Sequence, residues 1–418
     1  YTYSESKRPY YTTTYGSSGN LFYITNTIGP IYPLFVRNAD GTIVTEGGRK
    51  IYDSNNTNQQ RPAIVGNAVR DNAYDSEVYA EDVLNGRFGA VLTPVKGLTL
   101  SATVGVLADN DRGTSLYSKF ASGAAYDGQV GIEQNRLFVV NTEFMANYKK
   151  QVDKDTYEIL AGFVQMERKM QLLSGSNSHL FAPGIGELSN ALSKSDRDIT
   201  SYTHAYMTQG LVTRLQYDHD EKYFLSASFN RNASSRFSAA NRWGNFWSVS
   251  GSWKISNEEF MKNVSWVNDL RVRASYGTNG TLPTSNYAWI PTYSYDNTYK
   301  GNAGGYIDGT ANENLTWENV HQFDLGVDMS VLKSRITASV DFYNNLTDNA
   351  FYNRTVSPLA SAGNATKQQN AAQVRNRGIE LELSADVIRT SDLTLNVTVN
   401  GTHYRTILAG VPDEVIPA

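Results

Sequence analysis

The connections between the extended runs of this chain alternate short, long, short, long. Phe88, Ala90 and Leu92 alternate with polar neighbours down to a turn at Pro94–Gly97, and Leu98, Leu100, Ala102, Val104 and Val106 lead away from it. Gln151–Asp155, Asp218–Glu221, Leu332–Lys333 and Arg389–Asp392 are equally short connections, whereas 109–135, 169–202, 278–316 and 347–373 are long and polar. Alternation with period two is the mark of a strand that shows one set of side chains to each face of a sheet. Strands that each pair with a sequence neighbour need no Greek-key crossover. Short turns at one end and long loops at the other describe an up-and-down barrel in an outer membrane, with periplasmic turns and external loops. The expected fold is therefore all-β, an antiparallel up-and-down transmembrane β-barrel. Residues 98–106, 336–342 and 393–399 are expected to span, with Leu98, Leu100, Val104, Ile336, Val340, Leu395 and Val397 toward lipid.

The polar face supports a wet interior. Tyr223, Leu225, Ala227 and Phe229 alternate with Phe224, Ser226, Ser228 and Asn230, and Leu270, Val272, Ala274 and Tyr276 with Arg271, Arg273 and Ser275. A soluble sandwich would favour Lys and Glu on its outer face. Here Asn, Ser, Thr and Gly stand beside Arg271, Arg273, Asp324, Asp328, Asp341, Glu380, Glu382 and Asp386, and the first seven are expected to face the lumen. No run of about 18 apolar residues exists for a transmembrane helix, which a barrel does not need. Residues 1–84 are rich in turn chemistry (NADGT, DSNNTNQQRP) and are expected to form a loop-rich start of the barrel region, with 85–418 supplying the central strands and long external loops.

Composition removes several function classes. The net charge of −4 gives no footprint for nucleic acid. With no cysteine there are no disulfides and no thiolate metal sites. Asp109–Gly113 (DNDRG) has the look of a calcium loop, but Phe120 stands where an EF-hand needs a glutamate, so it is expected to be part of a solvated external loop. His179, His204, His219, His321 and His403 are scattered, without HExxH, and no phosphate-binding glycine loop or nucleophile elbow occurs. Glu380 and Glu382 form a carboxylate pair of the kind glycosidases use, yet on one strand face they are more simply lumen residues. No catalytic, metal or cofactor site is expected. Sequons at Asn314, Asn345 and Asn364 are what Asn-rich loops produce by chance. Trp243, Phe246, Trp247, Trp266, Tyr276, Trp317, Tyr343 and Tyr404, near strand ends, suit aromatic girdles at the membrane interfaces. Tyr287, Trp289, Tyr293, Tyr295, Tyr299 and Tyr306 crowd one long loop among Gly, Asn and Ser, a mixture that suits contact with cargo or with a partner.

Several segments together resemble the SusC/RagA-type TonB-linked outer-membrane transporters of Bacteroidetes. They are GRFGAVLTPVKGLTLSATVGV, NASSRF followed by SWKISNEEFMK, DLRVRASYGTNG, NLTWENVHQFDLGVDMSVLKSRITASVDFYNNLTDN and NAAQVRNRGIELELSADV. The resemblance implies a portion of a 22-stranded barrel, with the plug domain and final strands not in this sequence. It implies import of oligosaccharides or oligopeptides, energised through the TonB–ExbB–ExbD system, under a SusD-like surface lipoprotein, with a homodimer of the transporter–lipoprotein pair as a further expectation. A passive porin or adhesin barrel and a soluble all-β surface-binding module are the alternatives that the residues themselves leave open.

Overall fold

The computed structural model describes residues 1–8, 23, 26, 32–53, 67–121, 127–192, 197–357 and 366–410. In chain order its elements are β1 (Thr2–Arg8), β2 (Thr45–Glu46), β3 (Arg49–Lys50), helix α1 (Ala68–Tyr74), β4 (Ser76–Val95), β5 (Leu98–Tyr117), β6 (Gln129–Val152), β7 (Asp155–Ser178), β8 (Asp198–His219), β9 (Tyr223–Ser234), β10 (Trp243–Lys254), β11 (Val267–Thr281), β12 (Thr292–Tyr299), β13 (Asn302–Gly309), β14 (Glu318–Val331), β15 (Ile336–Thr355), β16 (Thr366–Arg389) and β17 (Thr394–Gly410). Thirteen strands form one sheet in the order β1-β4-β5-β6-β7-β8-β9-β10-β11-β14-β15-β16-β17. Sequence order is interrupted by two hairpins that form separate small sheets, β2–β3 between β1 and β4 and β12–β13 between β11 and β14. The all-β up-and-down expectation holds.

The short turns fall where the pattern put them, but the long connections are shorter than expected. The outer ends of the strands run on into polar sequence. β5 continues to Tyr117 and β6 starts at Gln129, so Asp109–Gly113 is strand and not an external loop. β7 and β16 each reach 24 residues, whereas about ten cross the membrane. Toward the long-loop ends loops pack on the strands, as around Leu116 and Val130, and the apolar/polar contrast that reveals a strand disappears. The first long strand likewise begins at Ser76, ahead of the regular pattern that starts at Asn85. Of the loop expected over 347–373, residues 358–365, with the Asn364 sequon, lie outside the described residues.

The chain divides into two compact units. The first contains Tyr1–Gly86, Val106–Val139 and Lys169–His204. In it β1 pairs antiparallel with β4 from Thr2 opposite Val83 to Arg8 opposite Glu77. Asn67 caps α1 by accepting from the Val69 and Arg70 amides, and its own amide group donates to the carbonyls of Leu34 and Asp53. Asp75 ends the helix in extended backbone and accepts from the Ser118 amide at 2.7 Å. Leu116, Val130 and Leu180 are the buried cluster, with Ile132, Leu188 and Ala191 packed on it.

The second unit contains Arg87–Gly105, Val140–Arg168 and Ala205–Ala418. The registers of β8 to β11 and β14 to β17 align the apolar side chains of neighbouring strands. Val249 lies opposite Ala227 and Tyr276, Val272 opposite Trp253 and Val327, Leu325 opposite Ala274 and Phe342, and Leu381 opposite Val340 and Gly401. Leu225, Val249, Leu325, Val340, Leu381 and Val397 are all exposed, between 42% and 55%. A contiguous apolar face of this extent does not stay in water. From β8 to β16 its backbone groups are paired with a strand on each side, the condition that lets a sheet cross a bilayer. The expected outward residues Leu100, Val104, Val340, Leu395 and Val397 are exposed, and Leu98 and Ile336 are half-buried.

Among the described residues of this unit, tight apolar packing is confined to one cluster, Phe237, Phe246, Leu315 and Trp317. The Phe246 ring meets Trp317 edge-on at 5.3 Å, Phe237 lies 5.1 Å from it, and the indole N–H donates to the Arg242 carbonyl at 3.1 Å. Phe246 and Trp317 are 3% and 6% exposed, so neither belongs to an interfacial girdle. Gly280 closes the cluster: a β-carbon there would overlap the Phe246 ring. Tyr343 and Tyr404 also leave the girdle, because they stand opposite Gly378 and so share its polar face. Trp243, Trp247, Trp266 and Tyr276 are exposed as girdle residues would be.

Two substitutions test this arrangement. Val340→Arg should cost about 2–4 kcal/mol in lipid-vesicle unfolding, the cost of a cation on the lipid face, while Ser339→Arg on the opposite face should cost far less. Trp317→Ala should cost about 3–5 kcal/mol, read from the same titration, with insertion into the membrane unchanged.

Candidate functional site: the polar face and the aromatic hairpin

The register brings all seven expected lumen residues to one face. Arg271 stands opposite Asp328, Arg273 opposite Gly326, and Ser275 opposite Asp324. Across the next seam Gly326 faces Asp341 and Asp328 faces Ser339, and then Asp341 faces Glu380 and Ser339 faces Glu382. Arg273 is the centre of this wall. Its Nε donates to Asp328 Oδ2 at 3.1 Å and its Nη2 pairs with Asp341. The guanidinium thus spans three strands, and it passes over Gly326, where a β-carbon would sit 2.5 Å from both Arg273 Cζ and Asp341 Oδ1. A planar fork with several donors holds two carboxylates at once in a way an ammonium cannot. Ser275 Oγ donates to Asp324 at 3.4 Å, and Arg271 lies 5.6 Å from the Phe224 ring.

Beside this network is a recess of about 420 Å³, lined by Lys149, Glu158, Gln216, Ser250, Arg273 and Asp324 among others. Its wall mixes both charges with hydroxyls and amides. Among the described residues no group of His, Asp and Glu is arranged to hold a metal ion.

The loop aromatics separate into two groups. Tyr287 accepts from the Ala205 amide at 3.3 Å, and the Trp289 indole donates to the Ser235 carbonyl at 3.2 Å. These two anchor the segment between β11 and β12. Tyr293, Tyr295 and Tyr306 are carried by the β12–β13 hairpin and are 56%, 68% and 41% exposed. The Tyr295 ring lies over Gly305. The Tyr299 side chain lies outside the described residues.

The motif residues now have physical roles. Arg236 of NASSRF stacks 4.0 Å over Tyr206 and donates to the Pro283 carbonyl at 2.7 Å. Burial pulls its guanidinium below the usual arginine value. In SWKISNEEFMK, Glu258 accepts from the Tyr223 hydroxyl at 2.6 Å and from the Trp253 indole at 3.0 Å. These hydrogen bonds hold its carboxyl below the ordinary glutamate range. Sequence reasoning missed the band these residues join. Tyr157 and Tyr217 lie 5.2 Å apart, and His219, Tyr223 and Trp253 follow in stacked steps of 6.2 and 6.4 Å. Asp155 accepts from Tyr217 and pairs with His219. The available signal was an aromatic or His residue on the apolar side of each strand next to a short turn.

Comparison with known proteins agrees with this geometry. The family model described as "TonB dependent receptor-like, beta-barrel" matches residues 1–414. The TonB-dependent receptor SusC of Bacteroides thetaiotaomicron is 27% identical over 364 residues, 84% of this chain and 34% of that protein. A TonB-dependent receptor of Formosa agariphila is 31% identical over 284 residues, 67% of this chain and 27% of that protein. The solved structure of the RagAB peptide transporter superposes with a TM-score of 0.74 at 25% identity, covering 82% of this chain and 38% of that one. The chain thus spans about a third of the length of these relatives. The family is one of receptors and transporters, not of enzymes. With the match running through every strand of the paired sheet, this chain belongs to the TonB-dependent receptor family, as part of its β-barrel in the bacterial outer membrane.

Proposed function

We propose that the complete protein imports large nutrients, oligosaccharides or oligopeptides, across the outer membrane by TonB-dependent transport with a SusD-like surface lipoprotein. The observation that carries this reading is the separation of the two faces, with an apolar exterior and a charged wall in which Arg273 holds Asp328 and Asp341. Likeness to SusC and to RagAB, the latter described as a peptide importer, supports it. The polar face lines the lumen, and the plug, the remaining strands and the contacts to TonB–ExbB–ExbD belong to other parts of the polypeptide. Tyr293, Tyr295 and Tyr306 supply rigid contact area with polar tips, either on the cargo or on the lipoprotein. Tyr287 and Trp289 hold the base from which that hairpin extends. A homodimer of the transporter–lipoprotein pair completes the assembly.

Two experiments test the proposal in intact cells. Removing the hairpin tip, residues 296–309, should leave the barrel inserted but reduce growth on the cognate polymer or recovery of the lipoprotein by about tenfold, as loss of recognition residues on a rigid scaffold would. Unchanged growth and unchanged recovery would remove the hairpin from the mechanism. A membrane-impermeant amine reagent should reach Lys300, in the hairpin turn, and not Lys333, in a short turn; the reverse pattern inverts the orientation.

A further inference from the structure

The apolar face of the last three strands stops at a sharp row. Phe342, Ile379 and His403 stand opposite one another across β15, β16 and β17. One pleat further toward the long-loop end the same face carries Asn344, Arg377 and Arg405, and one pleat beyond that Leu346, Arg375 and Ile407. Three arginines therefore cluster at the edge of the apolar band. Directly opposed side chains on antiparallel strands lie about 4.5–5.5 Å apart at Cβ, and like charges there repel. Arg377 and Arg405 are such a pair, and both are exposed.

Nothing in the described chain compensates this repulsion. In the same unit Arg273 pairs with Asp328 and Asp341, and Arg389 with Asp386, while Arg231, Arg242 and Arg271, like the cluster, pair with no carboxylate among the described residues. Among the described residues Arg375, Arg377 and Arg405 have no carboxylate partner. Arg375 Nε is shielded from solvent and has no hydrogen-bond partner. On the other side of the boundary the same strands present Ile379, Leu381, Leu383, Val397 and Val399, all exposed. The surface is thus amphiphilic, with guanidinium forks at the rim and aliphatic side chains running into the membrane. Guanidinium forks match the oxygens of a phosphate bidentately.

We propose that Arg375, Arg377 and Arg405 form a binding site for the phosphate group of a membrane lipid. The acyl chains lie along the aliphatic stripe of β16 and β17. The lipid's charge relieves the repulsion between Arg377 and Arg405. The inference depends on the outer-membrane location and not on what is transported.

The test uses the complete protein, purified in mild detergent, with a phosphorylated disaccharide lipid, its dephosphorylated counterpart and inorganic phosphate as separate probes. Native mass spectrometry should show the phosphorylated lipid retained and the dephosphorylated one lost. Binding should fall about tenfold or more in Arg377→Thr with Arg405→Thr, the loss expected for charge-assisted hydrogen bonds. In lipid-free detergent the same variant should melt no lower than the parent, because a repulsive pair has been removed, and with the phosphorylated lipid it should melt below the parent. Equal retention of the dephosphorylated lipid by the parent protein, which needs no variant, overturns the proposal. An equal shift with inorganic phosphate alone overturns it in favour of a soluble anion. A lower melting point of the variant without lipid overturns it in favour of a carboxylate elsewhere in the complete protein.

Discussion

Backbone hydrogen bonds are the constraint on which this structure depends. In a bilayer every N–H and C=O must find its partner within the protein, and a strand finds partners only in its neighbours. The chain meets this by pairing each long strand with the next, in continuous registers such as β14 on β15 from Asn319 opposite Asp348 to Val331 opposite Ile336. Once register is fixed, side chains have no freedom of face, since a slip of one residue would turn Leu381 inward and Glu382 toward lipid. The same constraint explains why compact apolar packing is sparse. Among the described residues, buried clusters such as Phe237, Phe246, Leu315 and Trp317 form where loops fold back on strand ends.

The division of labour between the faces was legible in the sequence because period two survives wherever one side meets lipid. Arg271, Arg273, Asp324, Asp328, Asp341, Glu380 and Glu382 could be assigned to one face from alternation alone, and their registers agree. What alternation could not show was that Arg273 binds two carboxylates over a glycine. That depends on which strand lies beside which, and on the missing side chain at Gly326. Strand length was illegible for a related reason. Beyond the apolar band, segments such as Asp109–Tyr117 and Gln129–Asn135 stay paired but carry no regular apolar/polar contrast, so their sequences look like loops.

Aromatic residues were the least legible class, since a ring near a strand end serves three unlike purposes. Trp317 is packed, Trp253 is held by a carboxylate at a strand end, and Tyr295 is presented to solvent. Only the neighbours distinguish them. For Trp317 the deciding neighbour is Phe246, distant in sequence, and for Tyr295 it is Gly305 across a hairpin that the pattern of long connections concealed.

One register pair has an evolutionary reading. β11 and β14 are adjacent strands, and their last pair is Thr281 opposite Glu318. Everything between them, the anchoring Tyr287 and Trp289 and the whole β12–β13 hairpin, therefore enters and leaves the sheet at a single point. The entropy of closing such an excursion grows only logarithmically with its length. Within the segment 282–317 the two ends are tied to the wall, by Tyr287 on Ala205, Asn312 on Gln368 and Trp317 on Phe246, so only the β12–β13 hairpin between them is a cassette in the mechanical sense. A lineage can change the hairpin at this position while the membrane-spanning strands remain under unchanged selection.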